Sequence, residues 1–252
     1  MKGYQELAEK IIFNFDDALG VFKHKATTYS ALGRLAKTGM LKKIRNNLYA
    51  IVNPTIQGVY ANKFQIGSCI NDQCYISHLS ALEYYGYQNQ VMNVVFVSSP
   101  KRFNAFEFEG ITFKHVKTNS MEGVVQPPYT IKMKISELEK AIVDSIHSLD
   151  SLVELEELLN SLEFIKPINE KKILHHLEGY HVQTLYQKTA FIFSLLNENM
   201  KPSISFMEEM KSKLNKGVAY LNEEAKYRGV FIKEFQLIVP KWIIKRGLDY
   251  EV

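Results

Sequence analysis

Polar and cationic side chains recur at helical spacing in one segment near the N-terminus. They stand at offsets 0, 3, 4 and 7, so a helix over residues 27–38 would carry them as one outward stripe. The stripe consists of Ser30, Gly33, Arg34 and Lys37. Arginine can pair in bidentate fashion with guanine, and serine and lysine can also donate hydrogen bonds to base edges. The pattern predicts a recognition helix that enters the major groove of DNA.

A block of uniform charge surrounds this stripe. Residues 18–71 contain no Asp or Glu and carry eight Lys and Arg side chains, whereas the whole chain has a net charge of only +4. Lysine and arginine gain affinity for DNA by releasing its condensed counterions, so the block indicates a polyanionic partner. The predicted DNA-contacting residues are Lys23, Lys25, Thr27, Thr28, Tyr29, Ser30, Arg34, Lys37, Lys42, Lys43, Arg45 and Asn46. The alternatives are a solvated basic face and a protein-docking module.

These side chains need a specific set of elements to position them. Apolar periodicity predicts a first helix to about Phe13, and Asn14 or the following acids cap a second helix. The third helix, over 27–38, would hold phosphates at its N-terminus through Thr27, Thr28 and Tyr29. Two short strands over 41–52 would form a basic wing that reaches the DNA backbone or minor groove. This is the order of a winged helix-turn-helix, which we predict over residues 1–55.

The larger remainder, residues 60–252, is predicted to be a second, mixed α/β domain. A helix is expected from Ser77 to Tyr85, and a hairpin over 106–116 turns at Glu109-Gly110. From about residue 138 to Lys216 the apolar pattern is mainly helical. The predicted fold class is therefore α+β, with a winged helix followed by a mixed domain whose C-terminal half is helical.

Signals for cofactor or metal chemistry are weak. The sequence contains no Gly-x-Gly and no Gly-Lys-Ser/Thr phosphate loop. His175, His176 and His181 do not share one ligand face of a helix, and the five-residue offset of Cys69 and Cys74 is not a zinc-ribbon spacing. We predict no cofactor and no metal, and a non-enzymatic role is favoured over an enzymatic one.

A charged group in the second domain has two interpretations. Lys140 and Asp144 lie four residues apart, and Glu139 precedes Lys140 in a segment that resembles a capping box starting at Ser136. The simpler interpretation is an exposed ion pair with a capping carboxylate. A site carrying both carboxylates and the lysine is the alternative.

The sequence also predicts where the protein resides. It has no run of about 18 apolar residues, and its first residues enter an amphipathic pattern without the apolar stretch of a secretion signal. A cytoplasmic protein without membrane contact is expected.

Several segments across most of the chain resemble one known family, the AbiEi antitoxins of type IV abortive-infection toxin–antitoxin systems, which act in phage defence. Residues 28–41 with 48–51 are similar to the winged helix of that family. More distinctive are Tyr75-Ile76-Ser77-His78-Leu79-Ser80-Ala81-Leu82-Glu83-Tyr84-Tyr85-Gly86, then Val94-Val95-Phe96-Val97, then Glu137-Leu138-Glu139-Lys140-Ala141-Ile142-Val143-Asp144. The wing turn Arg45-Asn46-Asn47 departs from the family, which more often has Gly there.

The resemblance implies two activities. The N-terminal domain would repress its own operon at inverted repeats in double-stranded DNA. The second domain would counteract a nucleotidyltransferase-like toxin, usually without a stable complex. Matching positions make Ser77, His78, Ser80, Glu139, Lys140 and Asp144 the candidate antitoxicity residues. Two alternatives stay open: a second domain that covalently modifies the toxin or its substrate, and a winged-helix regulator with a partner-binding domain.

Overall fold

The computed structural model describes residues 2–56, 58–128, 130, 132–165, 168–196 and 201–244. They form helices and several small sheets, which confirms a mixed α+β class. The chain divides into two compact units, Met1–Ile76 with Met92–Ser136, and Ser77–Val91 with Glu137–Val252. This division differs from the predicted domains, 1–55 and 60–252, because residues 92–136 pack with the N-terminal segment.

The N-terminal part of the first unit combines three helices with a three-stranded antiparallel sheet. Its elements are α1 (Lys2–Ala8), β1 (Ile12–Asn14), α2 (Phe15–Phe22), α3 (Lys25–Lys37), β2 (Leu41–Arg45) and β3 (Leu48–Ile51). The strand order is β1-β3-β2. Leu7, Phe13, Leu32, Leu35 and Leu41 form much of the core. The first helix is shorter than predicted, because Ile12–Asn14 pair with β3 instead of extending α1.

Local hydrogen bonds fix the entry to α2 and the turn of the β2–β3 hairpin. Asn14 Oδ1 accepts from the Asp17 backbone N–H, and the Asp17 carboxylate accepts from the Asn14 backbone N–H. This capping box makes Asn14 the cap, one of the candidates that the sequence predicted. Asn47 has a φ of +65° and accepts from the Phe15 backbone N–H, so an asparagine occupies the left-handed turn position.

The rest of the first unit is built around a six-stranded mixed sheet. Its strands are β4 (Tyr75–Ile76), β5 (Val94–Ser99), β6 (Phe106–Phe108), β7 (Ile111–Lys117), β8 (Val124–Val125) and β9 (Ile135–Ser136), and α4 (Lys63–Ser68) packs beside β4 and β5. The order is β6-β7-β5-β4-β9-β8. The predicted hairpin at Glu109-Gly110 is confirmed, and both residues have positive φ.

The second unit is mainly helical, as predicted. Its helices are α5 (His78–Tyr84), α6 (Leu138–His147), α7 (Leu152–Leu162), α8 (Glu170–Tyr180), α9 (Gln183–Ser194), α10 (Ile204–Ser212), α11 (Glu223–Arg228) and α12 (Lys241–Ile244). Near its C-terminal end lies a small sheet of β10 (Ala219–Tyr220), β11 (Gly229–Ile232) and β12 (Leu237–Pro240), in the order β10-β12-β11. Gly229 is required at the start of β11, because a Cβ there would lie 2.2 Å from Ile238 Cγ2.

Candidate functional site

The outward stripe of α3 has the geometry that its spacing predicts. Ala31, Leu32 and Leu35 are buried on one side of the helix. The side chains on the other side are exposed: Ser30, Arg34 and Lys37, with Gly33 between them. The helix therefore presents hydrogen-bonding and cationic groups to solvent along its length.

Most other predicted DNA contacts are also exposed. Tyr29 is 64% exposed, and its ring lies 4.5 Å from that of Phe15, measured between centroids. The remaining exposed members are Lys23, Lys25, Thr27, Lys43 and Asn46. Within the described residues, no ion pair involves Lys23, Lys25 or Lys37. The ammonium groups of these three lysines are therefore available to bind phosphates.

The structure excludes Thr28 from the predicted phosphate contacts. Its side chain is fully buried, and Oγ1 donates to the His24 carbonyl oxygen at 2.9 Å. Thr28 lies four and seven residues before the buried Leu32 and Leu35, so it shares their core-facing side of the helix. The hydroxyl therefore stabilises the start of α3 and does not face solvent.

Two cations of the β2–β3 hairpin, the predicted wing, have partners within the first unit. Lys42 Nζ lies 2.5 Å from a carboxylate oxygen of Glu109. The Arg45 guanidinium lies 4.8 Å from the ring centroid of Phe106 and 5.5 Å from that of Phe103. A cation over an aromatic face is held by the ring quadrupole. Among the predicted DNA contacts of this hairpin, Lys43 and Asn46 are therefore exposed, whereas Lys42 and Arg45 are half-buried.

The second set of candidate residues is buried in the second unit. They lie on α5 and α6 or directly before α5, and these two helices pack together. The set is Ser77, His78, Ser80, Glu139, Lys140 and Asp144, each less than 9% exposed. Ser77 Oγ and His78 Nδ1 are 2.7 Å apart, and His78 has a φ of +55°. A non-glycine residue at the first position of a helix rarely adopts this conformation, and such strain is concentrated at functional sites.

The predicted exposed ion pair is in fact buried, so the simpler interpretation of this cluster is wrong. Lys140 is 5% exposed and Asp144 is 2% exposed, and Nζ lies 3.1 Å from Oδ1. The Tyr180 hydroxyl also donates to Asp144 Oδ1, at 2.6 Å. Buried charges are tolerated only with close partners and additional hydrogen bonds, which these groups provide.

Glu139 does not cap α6. Its carboxylate accepts from the Asn169 backbone N–H at 3.1 Å, just before α8, and the residue at the N-cap of α6 is Glu137. The predicted capping box fails because Ser136 belongs to strand β9. Glu139 instead links α6 to the entry of α8.

Sequence reasoning missed the residues of α8 that complete this cluster. Glu137 accepts hydrogen bonds from Lys172 and from His176 Nε2, the latter at 2.7 Å. Burial alone would raise the pKa of Glu137, but these two donors outweigh it and hold the pKa below its ordinary value. His176 is 7% exposed and lies 39 residues from Glu137. No local pattern could have signalled that pairing.

His147 extends the cluster at the C-terminal end of α6. Its ring stacks on Tyr180 with a centroid distance of 4.3 Å. Burial, together with nearby Lys188, lowers the pKa of His147 below its ordinary value of 6.5, and Asp144 opposes the shift. The folded state therefore binds the proton less tightly than the unfolded chain does.

This shift predicts a loss of stability in mild acid. Because the pKa of His147 is lower in the folded state than in the unfolded chain, neutral His147 contributes to the free energy of unfolding. This contribution is fully present above about pH 6.5 and is lost as the pH falls through the folded pKa. We expect the free energy of unfolding, measured by urea titration, to decrease between pH 7.5 and pH 5.5. His147→Gln should show a smaller decrease, and equal decreases in the two proteins would contradict this assignment.

The cluster contains groups that serve in proton transfer and nucleophilic chemistry. A hydroxyl against an imidazole, as in Ser77 and His78, is the starting arrangement of an activated nucleophile. Because both residues are buried, a substrate has limited access to this hydroxyl. Among the described residues, no group of three His, Cys, Asp or Glu side chains is placed to hold a metal ion. Burial raises the pKa of Cys69 to about 11 and also raises that of Cys74, so these thiols are poor ligands.

Comparison with known proteins supports the fold only. No family model matches this sequence, and no curated protein sequence matches it. The chain is similar in structure to the RV2827C protein from Mycobacterium tuberculosis, with a TM-score of 0.61 over 95% of this chain and 92% of that chain. The two sequences are 13% identical. Within the described part of the chain, no helix is both long enough and apolar enough to cross a membrane.

Proposed function

We propose that the protein is a DNA-binding regulator that contacts double-stranded DNA through α3. The observation that carries this proposal is the exposed stripe of Ser30, Arg34 and Lys37 on a helix whose opposite side is buried. The block without acidic residues, 18–71, surrounds that stripe with positive charge. Protein surfaces of this kind bind the phosphate backbone electrostatically and read base edges with the side chains of the helix.

The proposed DNA-binding module is a winged helix. The order α1, β1, α2, α3, β2, β3, with the sheet order β1-β3-β2, supports this proposal. In such modules the third helix enters the major groove and the hairpin contacts the flanking backbone. Here α3 would be the recognition helix and β2–β3 the wing, with Lys43 and Asn46 at its exposed positions.

A mobility shift on the protein's own upstream region tests this function. Wild-type protein is expected to bind that region more tightly than random duplex DNA of equal length. Arg34→Ala should lose about 1–3 kcal/mol of affinity for the specific site and should relax its specificity, if Arg34 pairs with a guanine. Lys171→Ala, an exposed lysine on α8, is the matched control. Equal affinity for both DNAs, insensitive to Arg34→Ala, would disprove recognition by α3.

We further propose that the chain is an AbiEi-type antitoxin that represses its own operon and counteracts a nucleotidyltransferase-like toxin. The resemblance of residues 75–86, 94–97 and 137–144 supports this assignment. Ser77 and His78 of the first segment and Lys140 and Asp144 of the third are buried in the second unit, whereas residues 94–97 belong to the first unit. A nucleotidyltransferase-like reading frame directly downstream would support the assignment, and its absence would count against it.

A second candidate function is enzymatic. The 2.7 Å contact between Ser77 Oγ and His78 Nδ1, beside a strained backbone, favours covalent modification of the toxin or of its substrate. The test incubates purified toxin, antitoxin and nucleotide and then measures the mass of the toxin. An unchanged mass with toxicity still suppressed would eliminate direct modification of the toxin.

A further inference from the structure

The small sheet of the second unit has one buried and one exposed row of side chains. Tyr220 and Phe231 are both paired with Ile238, from opposite sides of the central strand β12. Side chains that are directly paired across strands lie on the same face of a sheet, so these three form one row. The neighbouring row, Ala219, Leu237 and Ile232, is buried. We call the first row the aromatic row.

The aromatic row is unusually accessible. Tyr220 is 41% exposed, Phe231 is 45% exposed, and Ile238 between them is half-buried. Tyr227, on the adjacent helix α11, is 83% exposed. Single exposed apolar residues are common, but three exposed rings around one small sheet are a feature of interaction surfaces.

Cations lie at both ends of the edge strand β11, which runs across the aromatic row. Arg228 precedes Gly229 and Lys241 follows its partner Pro240, so both cations flank the same end of the β11–β12 pair. Lys233 follows Phe231 by two residues at the other end. Arg228 is the last residue of α11 and Lys233 directly follows β11, so the four-residue strand between them, at about 3.3 Å per residue, is about 13 Å long.

The charge of this surface is positive after local pairing. Glu223 is paired with Lys226, and Glu234 is paired with Lys211. Within the described residues, no ion pair involves Arg228, Lys233 or Lys241, and all three are exposed. The unpaired cations outnumber Glu224, the remaining acid of this segment. The surface therefore suits an anionic chain.

We propose that the aromatic row and its flanking cations bind single-stranded nucleic acid. Unstacked bases can lie on the Tyr220 and Phe231 rings, because every base has a π-face and such stacking does not depend on sequence. Phosphates between them can be met by Arg228, Lys233 and Lys241. Duplex DNA does not fit this chemistry, since its bases are already stacked within the helix. This surface is separate in sequence from the proposed DNA-binding helix α3.

The experiment measures fluorescence anisotropy of labelled 12-nucleotide oligo(U) and oligo(dT), and of a 12-base-pair duplex, with full-length protein. Tyr220→Ala and Phe231→Ala are each expected to weaken binding of the single strands about tenfold while leaving duplex affinity unchanged. Arg34→Ala should have the opposite pattern. Tighter binding of oligo(U) than of oligo(dT) would identify RNA as the ligand, and the reverse order would identify single-stranded DNA.

Conservative and control variants separate loss of binding from loss of folding. Tyr220→Phe keeps the ring and should retain binding, and Val153→Ala, at an exposed apolar position on α7, should have no effect. The proposal is overturned if the alanine variants bind single strands as the wild type does, or if Arg34→Ala abolishes single-strand and duplex binding alike. It is also overturned if the ring variants change only the oligomeric state measured by sedimentation, which would make the row a protein interface.

Discussion

Lys140→Met is expected to lower the free energy of unfolding by about 3–5 kcal/mol, the cost of leaving a buried charge without its partner. The change removes the ammonium 3.1 Å from Asp144 Oδ1 and leaves a carboxylate that is 2% exposed. The Tyr180 hydroxyl would remain as a donor to Asp144, but a neutral donor compensates only part of a buried negative charge. Urea denaturation followed by circular dichroism would measure the change.

Two further variants show whether this loss of stability comes from losing the ion pair or from leaving the Asp144 carboxylate buried without its partner. Lys140→Met with Asp144→Leu replaces both charges by apolar groups, and it should cost clearly less than Lys140→Met alone. Lys172→Met removes an exposed partner of Glu137 and should cost no more than about 1 kcal/mol. If Lys140→Met lowered the free energy of unfolding no more than Lys172→Met does, the large cost expected for an unpaired buried charge would be contradicted.

The same variants distinguish a structural cluster from a functional one. If the double variant folds normally and keeps the proposed antitoxin activity of the wild type, Lys140 and Asp144 serve the packing of α6 against α5 and α8. If the double variant folds normally but loses the proposed antitoxin activity, the charges of Lys140 and Asp144 act in that activity. Stability and protection must therefore be measured on the same protein preparations.

Local sequence patterns predicted those features that depend on neighbouring residues. The stripe on α3 follows from helical periodicity, and the Asn14 cap and the Glu109-Gly110 turn follow from side-chain and backbone preferences of single residues. The order of elements in the N-terminal segment follows in the same way, except that residues 12–14 form a strand. Their pairing with β3, more than 30 residues away, decides their conformation.

Features that depend on distant residues could not be predicted from spacing. Lys42 pairs with Glu109, which is 67 residues away, and Glu137 pairs with His176, 39 residues away. The same limit explains the burial of Lys140 and Asp144, since an i,i+4 pair has the same spacing on an exposed and on a buried helix face. Only the packing of α5, α6 and α8 decides whether this face of α6 is exposed or buried.

The contribution of the basic surface to the proposed DNA binding can be measured through its salt dependence. Lys23, Lys25 and Lys37 are exposed, and if each one meets a phosphate, each contributes about 0.9 to the slope of log K against log salt. Replacing all three by alanine is expected to reduce that slope by about 2–3 and to weaken binding on the order of 100-fold at 0.1 M salt. Affinity should fall to a similar degree for specific and random duplexes, because phosphate contacts carry no sequence information.

A variant that removes a negative charge, instead of positive charges, provides the matched control. Glu109→Gln removes the carboxylate that pairs with Lys42 and therefore makes the surface beside the wing more positive. This variant should bind DNA more tightly at low salt, and the gain should vanish as salt screens the added charge. Both series would be measured by anisotropy between 50 and 300 mM salt. An unchanged slope in the three-lysine variant would mean that DNA binds elsewhere on the protein, and a weaker Glu109→Gln complex would mean that Lys42 must stay paired for the wing to contact DNA.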